Sequence, residues 1–178
     1  MDTDYYIFFE GVINLATAKK IIDAINKVKG GKFKRIVIFF SSWGGNIDSG
    51  FLLANIIQNS SIPVSIHAPN HIDSIANVFY LSARERTAES YAKFYMHGAS
   101  QSGDYDEKKL KEVLSSIEAS NNRIAHFISE NSKLKLSEVS KLMEEGKTLS
   151  AQEALGKGII HQILHKEIPP KATREDII

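Results

Sequence analysis

Residues Arg35 to Phe40 read Arg-Ile-Val-Ile-Phe-Phe, a nearly continuous apolar run of strand length, and it ends at Ser41-Ser42-Trp43-Gly44-Gly45. A strand that is apolar on successive residues has no face for water. It belongs in the interior of a parallel sheet, covered on both sides. Parallel neighbours need crossover connections, and the surrounding sequence supplies them. Tyr5 to Phe9 is a first short aromatic strand, and Asn14 caps a helix reaching about Val28 on the helical spacing of Ala18, Ile21, Ile22, Ile25 and Val28, closed by Gly30-Gly31. After the double glycine, Ile47, Leu52, Leu53, Ile56 and Ile57 mark a second helix. Pro63 to Ala68 is the next strand, Pro69-Asn70 a turn, Ser74 to Leu81 a third helix, and Lys93 to Met96 a strand ending at His97.

The longest helix is predicted from Asp106 to Asn131, on a stripe of Leu110, Val113, Ile117, Ile124, Phe127 and Ile128. Two short helices follow near 137–145 and 150–155; Ser150 and Glu153 carry the capping-box spacing that opens the second. Ile159 to Leu164 is a last strand, and the tail after it, with Pro169-Pro170 and mixed charges, is expected to be loose. Alternating strands and helices define an α/β chain with mostly parallel strands. It reads as one domain, 1–178, with a core from about residue 5 to 164.

The 22 Lys and Arg residues balance 21 Asp and Glu, so charge points to neither a nucleic-acid partner nor a membrane surface. Without cysteine there is no disulfide framework or thiol nucleophile. No apolar run reaches the ~18 residues of a membrane span, and the acidic start is unlike a signal peptide. A cytoplasmic protein is the expectation. The six histidines form no cluster at metal-ligand spacing, and no glycine motif for a nucleotide is present, so neither metal nor cofactor is expected.

Two strand-to-helix junctions could carry chemistry. Gly44-Gly45 lets a ligand approach the backbone where no Cβ intrudes, and Ser74 opens a helix whose first amides favour an oxyanion beside it. Both lie at carboxyl ends of strands, where ligands bind in parallel α/β sheets. His97 closes a third strand. Each feature alone has a plain alternative as a turn, a cap or a surface histidine.

Together and in order, these segments resemble the ClpP family of Clp protease subunits. Ser41-Ser42-Trp43-Gly44-Gly45-Asn46-Ile47 is similar to the family's Asn-Ser-Pro-Gly-Gly segment, and His71-Ile72-Asp73-Ser74-Ile75-Ala76 stands where its Gly-x-Ala-Ala-Ser-Met-Gly motif falls. Phe94-Tyr95-Met96-His97 resembles the strand that ends in the catalytic histidine. Leu149-Ser150-Ala151-Gln152-Glu153-Ala154-Leu155, with Gly158-Ile159-Ile160 after it, matches the family's Leu-Ser-Ala-x-Glu-Ala run. The separations of 29, 23 and 53 positions among Gly45, Ser74, His97 and Ser150 suit the family as well.

The resemblance implies a ClpP/crotonase-like α/β fold of repeated β-β-α units with a long handle helix. It implies a serine endopeptidase acting on peptides or unfolded proteins, with Ser74 as nucleophile and His97 as base. The amides of Gly45 and Ile75 would form the oxyanion hole, and Asn46, Ile47 and Asp48 would line the substrate as a strand partner. It also implies a homo-oligomeric ring; the short stretch before the first strand leaves a partnership with an ATPase unfoldase open. The family's acid position, four residues before Ser150, is Gly146. Glu145 and Asp73 are the substitutes to test. Trp43 takes the place of a proline, and Asp73, Ile75, Ala76 and Asn77 replace small residues around the nucleophile. An inactive scaffold subunit is the alternative, and an acyl-CoA enzyme of the crotonase type a further one.

Overall fold

The computed structural model describes residues 4–28 and 33–178; the Gly30-Gly31 helix stop lies outside them. Its strands are β1 (Asp4–Ile13), β2 (Arg35–Gly45), β3 (Val64–Ala68), β4 (His71–Asp73), β5 (Glu85–Ala88), β6 (Lys93–Met96), β7 (Lys147–Ser150), β8 (Gln162–Ile163) and β9 (Thr173–Ile177). Its helices are α1 (Leu15–Val28), α2 (Ile47–Gln58), α3 (Ala76–Leu81), α4 (Glu107–Glu130), α5 (Leu136–Glu145) and α6 (Ala151–Gly156). The strands form one sheet in the order β7-β6-β4-β2-β3-β5-β8, with β1 beside β2 and β9 beside β1. All pairings but one are parallel; β6 and β7 run antiparallel. This is the mixed α/β architecture the alternation requires.

β2 is the axis of the sheet, and its apolar run explains why. Ile36, Val37, Ile38 and Phe40 are buried on both faces, packed by α1 and α2 from one side and the Tyr6, Phe8 and Phe39 rings from the other. On one edge β2 pairs with β1 throughout. On its other edge the partner changes: Ile36 to Phe39 pair with β3, and Ser42 pairs with β4. The Pro69-Asn70 turn separates those two partners, because proline has no N–H to continue a ladder. The strand switch therefore brings the segment before Ser74 against the end of β2.

Arg86 ties the far side together. Its buried guanidinium donates to carbonyls at the end of α3 (Leu81, Ala83), after α4 (Asn131) and after α6 (Gly158, Ile159), at 2.8 to 3.4 Å. Carbonyls at helix C-termini are the partners a buried cation can use without a carboxylate.

Several boundaries differ from the sequence expectation. β1 continues past Phe9 to Ile13, and β2 past Phe40 through the two glycines, since each extends the other's ladder. β4, β5 and β7 are three or four residues long, too short to show a period. α3 begins at Ala76 rather than at Ser74, and only Gln162 and Ile163 of the 159–164 segment pair. The tail is not loose. β9 adds a strand to β1, buries Ile177 to 2% exposure, and sets Glu175 between Tyr5 and Lys27.

Candidate active site

The end of β2 and the end of β4 meet at Gly44 and Ser74. Gly44 has φ 87° and Gly45 φ 139°. A methyl group on Gly44 would stand 2.5 Å from Ser74 Cβ, and one on Gly45 would collide with the carbonyl oxygen of Ile13. Glycine is thus required twice, for conformation and for contact. Ser42 Oγ, fully buried, accepts the Gly44 N–H at 3.1 Å and holds the turn from below. Asn46 then caps α2, its side chain accepting from Ser49 N.

Ser74 stands before α3 rather than opening it as the sequence suggests. It has φ 59°, the sole non-glycine residue at positive φ among the described residues. That region disfavours any Cβ by roughly 1–2 kcal/mol, and such residues gather where the surroundings over-determine them. Here its N–H donates to Tyr95 O on β6 at 2.8 Å, and its carbonyl accepts from Asn77 N at 3.1 Å. Ile75 N, one residue on, donates to no backbone carbonyl among the described residues. A free amide beside a projecting hydroxyl is what oxyanion binding needs.

His97 follows β6, two residues past Tyr95 and on the same face. The Tyr95 ring stacks on its imidazole, centroids 4.8 Å apart at 26°. His97 Nδ1 donates to Gly98 O at 2.7 Å; a carbonyl only accepts, so Nδ1 carries the proton and Nε2 is left as the base. The loop is itself pinned, with Gly98 N donating to Met143 O of α5 and Ala99 N to Asn121 Oδ1 of α4. Among the described residues, Ser74 Oγ makes no hydrogen bond, with His97 or any other group.

Neither substitute acid bonds to His97. Glu145 reaches toward Lys141 at 3.8 Å, one turn back on the exposed side of α5. Asp73 faces a surface pocket of about 420 Å³ with Trp43, Asn70, His71, Lys93, Tyr95 and Thr148. Burial pushes its carboxyl up, against the opposing pull of His71, Lys93, the Tyr95 backbone and His97. Trp43 lies on His71 with ring centroids 4.7 Å apart and covers it, itself 56% exposed. Gly146, at the expected acid position, ends α5 at φ 62°. A Cβ there would touch Tyr95 Oη at 3.4 Å, so an acid side chain would have to extend alongside the tyrosine.

A groove of about 370 Å³ runs from Gly45, Asn46, Ile47 and Asp48 to Ala99 and Ser100, and to Ser116, Ile117 and Ser120 of α4. The three residues expected to line substrate therefore share one wall with Gly45. Asp48 also pairs with Arg123 at 3.0 Å. Sequence reasoning missed Tyr95, Gly98 and Asn77. The first two act through a ring face and a main-chain carbonyl, which no side-chain motif encodes. Asn77 was visible only as a polar residue where a small one is usual. Among the described residues no group of three or more acidic or histidine side chains could hold a metal ion, and no helix is long and apolar enough to cross a membrane.

This mixed α/β sheet with its flanking helices has the fold of ClpP. A point mutant of ClpP1 from Listeria monocytogenes superposes with a TM-score of 0.82, over 90% of this chain and 91% of that one, at 20% identity. The family model described as Clp protease matches residues 1–167, and the chain belongs to that family. No curated protein matches the sequence.

Proposed function

We propose that the chain is a serine endopeptidase working through a Ser74–His97 dyad, with a main-chain carbonyl doing part of an acid's work. The observation that carries the reading is Ser74 at φ 59° between two glycines and a free amide. His97 Nε2 takes the Ser74 hydroxyl proton as Oγ bonds to the peptide carbonyl carbon. The carbonyl oxygen becomes an oxyanion facing the N–H groups of Gly45 and Ile75. Collapse breaks the C–N bond, the departing amine takes the proton from His97, and water then releases the acyl group from Ser74 by the same steps in reverse.

A triad aspartate fixes the histidine tautomer and stabilises its cation. Gly98 O supplies the first function, and Tyr95 holds the ring plane by stacking. The second function falls to the carbonyl dipole and the through-space attraction of Asp73, with no carboxylate hydrogen-bonded to the ring, so turnover is expected to be slow relative to an intact triad. The Ser74–His97 hydrogen bond forms when substrate fills the groove, as catalytic contacts that are open in a free enzyme commonly do. The substrate is a peptide or unfolded protein lying against Asn46, Ile47 and Asp48.

The protein works as a ring of identical copies. Val12, Leu15, Leu52, Leu110 and Leu114, all more than 40% exposed, support that assembly. Hydrolysis of a fluorogenic peptide set or unfolded casein tests the activity. Cleavage that Ser74→Ala and His97→Ala each abolish is the expected result. An inactive ring subunit is the second reading, favoured by the open Ser74–His97 contact and by the lack, among the described residues, of a carboxylate bonded to His97. Cleavage unaffected by Ser74→Ala, or none from the assembled wild type, would decide for it.

A further inference from the structure

Asn77 is fully buried one turn beyond Ser74. Its Nδ2 donates to three carbonyls: Tyr95 O at 2.9 Å, Ser74 O at 3.1 Å and Ile72 O at 3.2 Å. Two amide hydrogens serve three acceptors, so at least one bond is shared. The reverse amide orientation would press Oδ1 against three carbonyl oxygens. With Nδ2 facing them, Oδ1 is left buried without a donor. A buried acceptor left unpaired costs on the order of 1–3 kcal/mol. An apolar side chain of similar size would fill the space without that cost, so packing does not account for the residue.

The geometry of the peptide unit does. In a planar trans peptide, the carbonyl of one residue and the N–H of the next point in opposite directions. Asn77 binds Ser74 O twice, through its backbone N and through Nδ2. Fixing that carbonyl on the Asn77 side turns the Ile75 N–H to the other side, away from the helix interior. The same Nδ2 also grips Tyr95 O, the acceptor of the Ser74 N–H. One amide thereby joins the strand before the serine, the serine's own carbonyl and the strand that ends at His97.

We infer that Asn77 is the positioning residue of the nucleophile turn: it holds Ser74 in the left-handed conformation and aims the Ile75 N–H as an oxyanion donor. Its catalytic consequence rests on the serine-peptidase reading, but the conformational claim does not. Without Nδ2 the Ser74–Ile75 peptide is free to flip, relieving the strain at Ser74 and withdrawing the Ile75 amide.

Crystal structures and fluorophosphonate labelling of wild type, Asn77→Leu, Asn77→Asp and Asn77→Ser test this together. In Asn77→Leu and Asn77→Asp, Ser74 is expected to leave positive φ, and labelling of Ser74 to slow by at least about tenfold, as for loss of an oxyanion donor. For any peptide cleaved, kcat falls and KM holds. The Asp variant adds a pH readout: its carboxylate repels the carbonyls, whereas its protonated form donates one bond, so its rate relative to wild type recovers toward low pH. A residue that only filled space would show no such recovery. Asn77→Ser keeps one donor and a smaller volume, and stands in if the Leu variant fails to fold. Ser74 remaining near φ 59° with labelling within about twofold of wild type would overturn the inference. Should wild type take no label at all, the peptidase reading falls, and the position of the Ser74–Ile75 peptide in the crystal structures alone decides the role of Asn77.

Discussion

At the scale of single residues, the site depends on which atoms are missing as much as on which are present. Gly44 has no Cβ because Ser74 Cβ occupies the place, and its φ of 87° excludes most other residues. Gly44→Ala is expected to abolish Ser74 labelling while the circular dichroism spectrum stays that of the folded protein; retained labelling would contradict the fit. Gly146 presents the complementary case. Restoring an acid by Gly146→Asp forces a side chain into positive φ and against Tyr95 Oη. We expect that change alone to leave peptide hydrolysis no faster. Joined with Tyr95→Val, which clears the space, it should be faster than Tyr95→Val alone. The sequence shows Ser74, His97 and the double glycine, and it shows that Gly146 is not acidic. It does not show what orients His97, because a carbonyl and a ring face become partners only through the fold. Nor does it show the strain at Ser74, since a serine before a helix is ordinarily a cap.

At the scale of elements, long periodic segments are legible and short ones are not. α4 spans Glu107–Glu130 with Asp106 as its cap, and α6 opens with the Ser150–Glu153 box, both as their spacing predicts. β4, β5 and β7 have too few residues for a period, and they are strands because neighbours supply the ladder. β9 is the clearest miss. Thr-Arg-Glu-Asp-Ile has little strand propensity, yet five residues pair with β1 and Ile177 closes the core beside α1. Ile177→Ala should cost roughly 2–5 kcal/mol. For a chain of this size each kcal/mol is worth about 2–4 °C in Tm, so calorimetry should show a drop of several degrees. No change would mean that β9 frays in solution.

At the scale of the whole molecule, burial sets a pH response away from the candidate site. His67 is fully buried on β3, with Nδ1 at 2.9 Å from Thr87 Oγ1 and Nε2 at 3.4 Å from Glu89 Oε1 without hydrogen-bond geometry. Desolvation outweighs the attraction of Glu89 and lowers its pKa to about 4. Between that value and the ordinary 6.5, the unfolded chain binds a proton that the folded chain refuses. Stability therefore rises with pH across this window and is lost as pH falls through it. His67→Asn should flatten the rise in Tm between about pH 4 and 6.5; an unchanged slope would assign the response to other groups. Chain-wide, the alternation of strands and helices specified the α/β sheet. Only tertiary pairing specified that β2 exchanges β3 for β4 at the level of the serine, and that exchange builds the site.

We propose Ser74 as a nucleophile activated by His97 with no carboxylate bonded to the imidazole. Fluorophosphonate labelling of the intact protein from about pH 6 to 9, read by mass spectrometry with peptide mapping, tests it most directly. A single adduct on Ser74, absent from Ser74→Ala and from His97→Ala, is the expected result. A folded wild-type protein that takes no adduct anywhere in that range would contradict it.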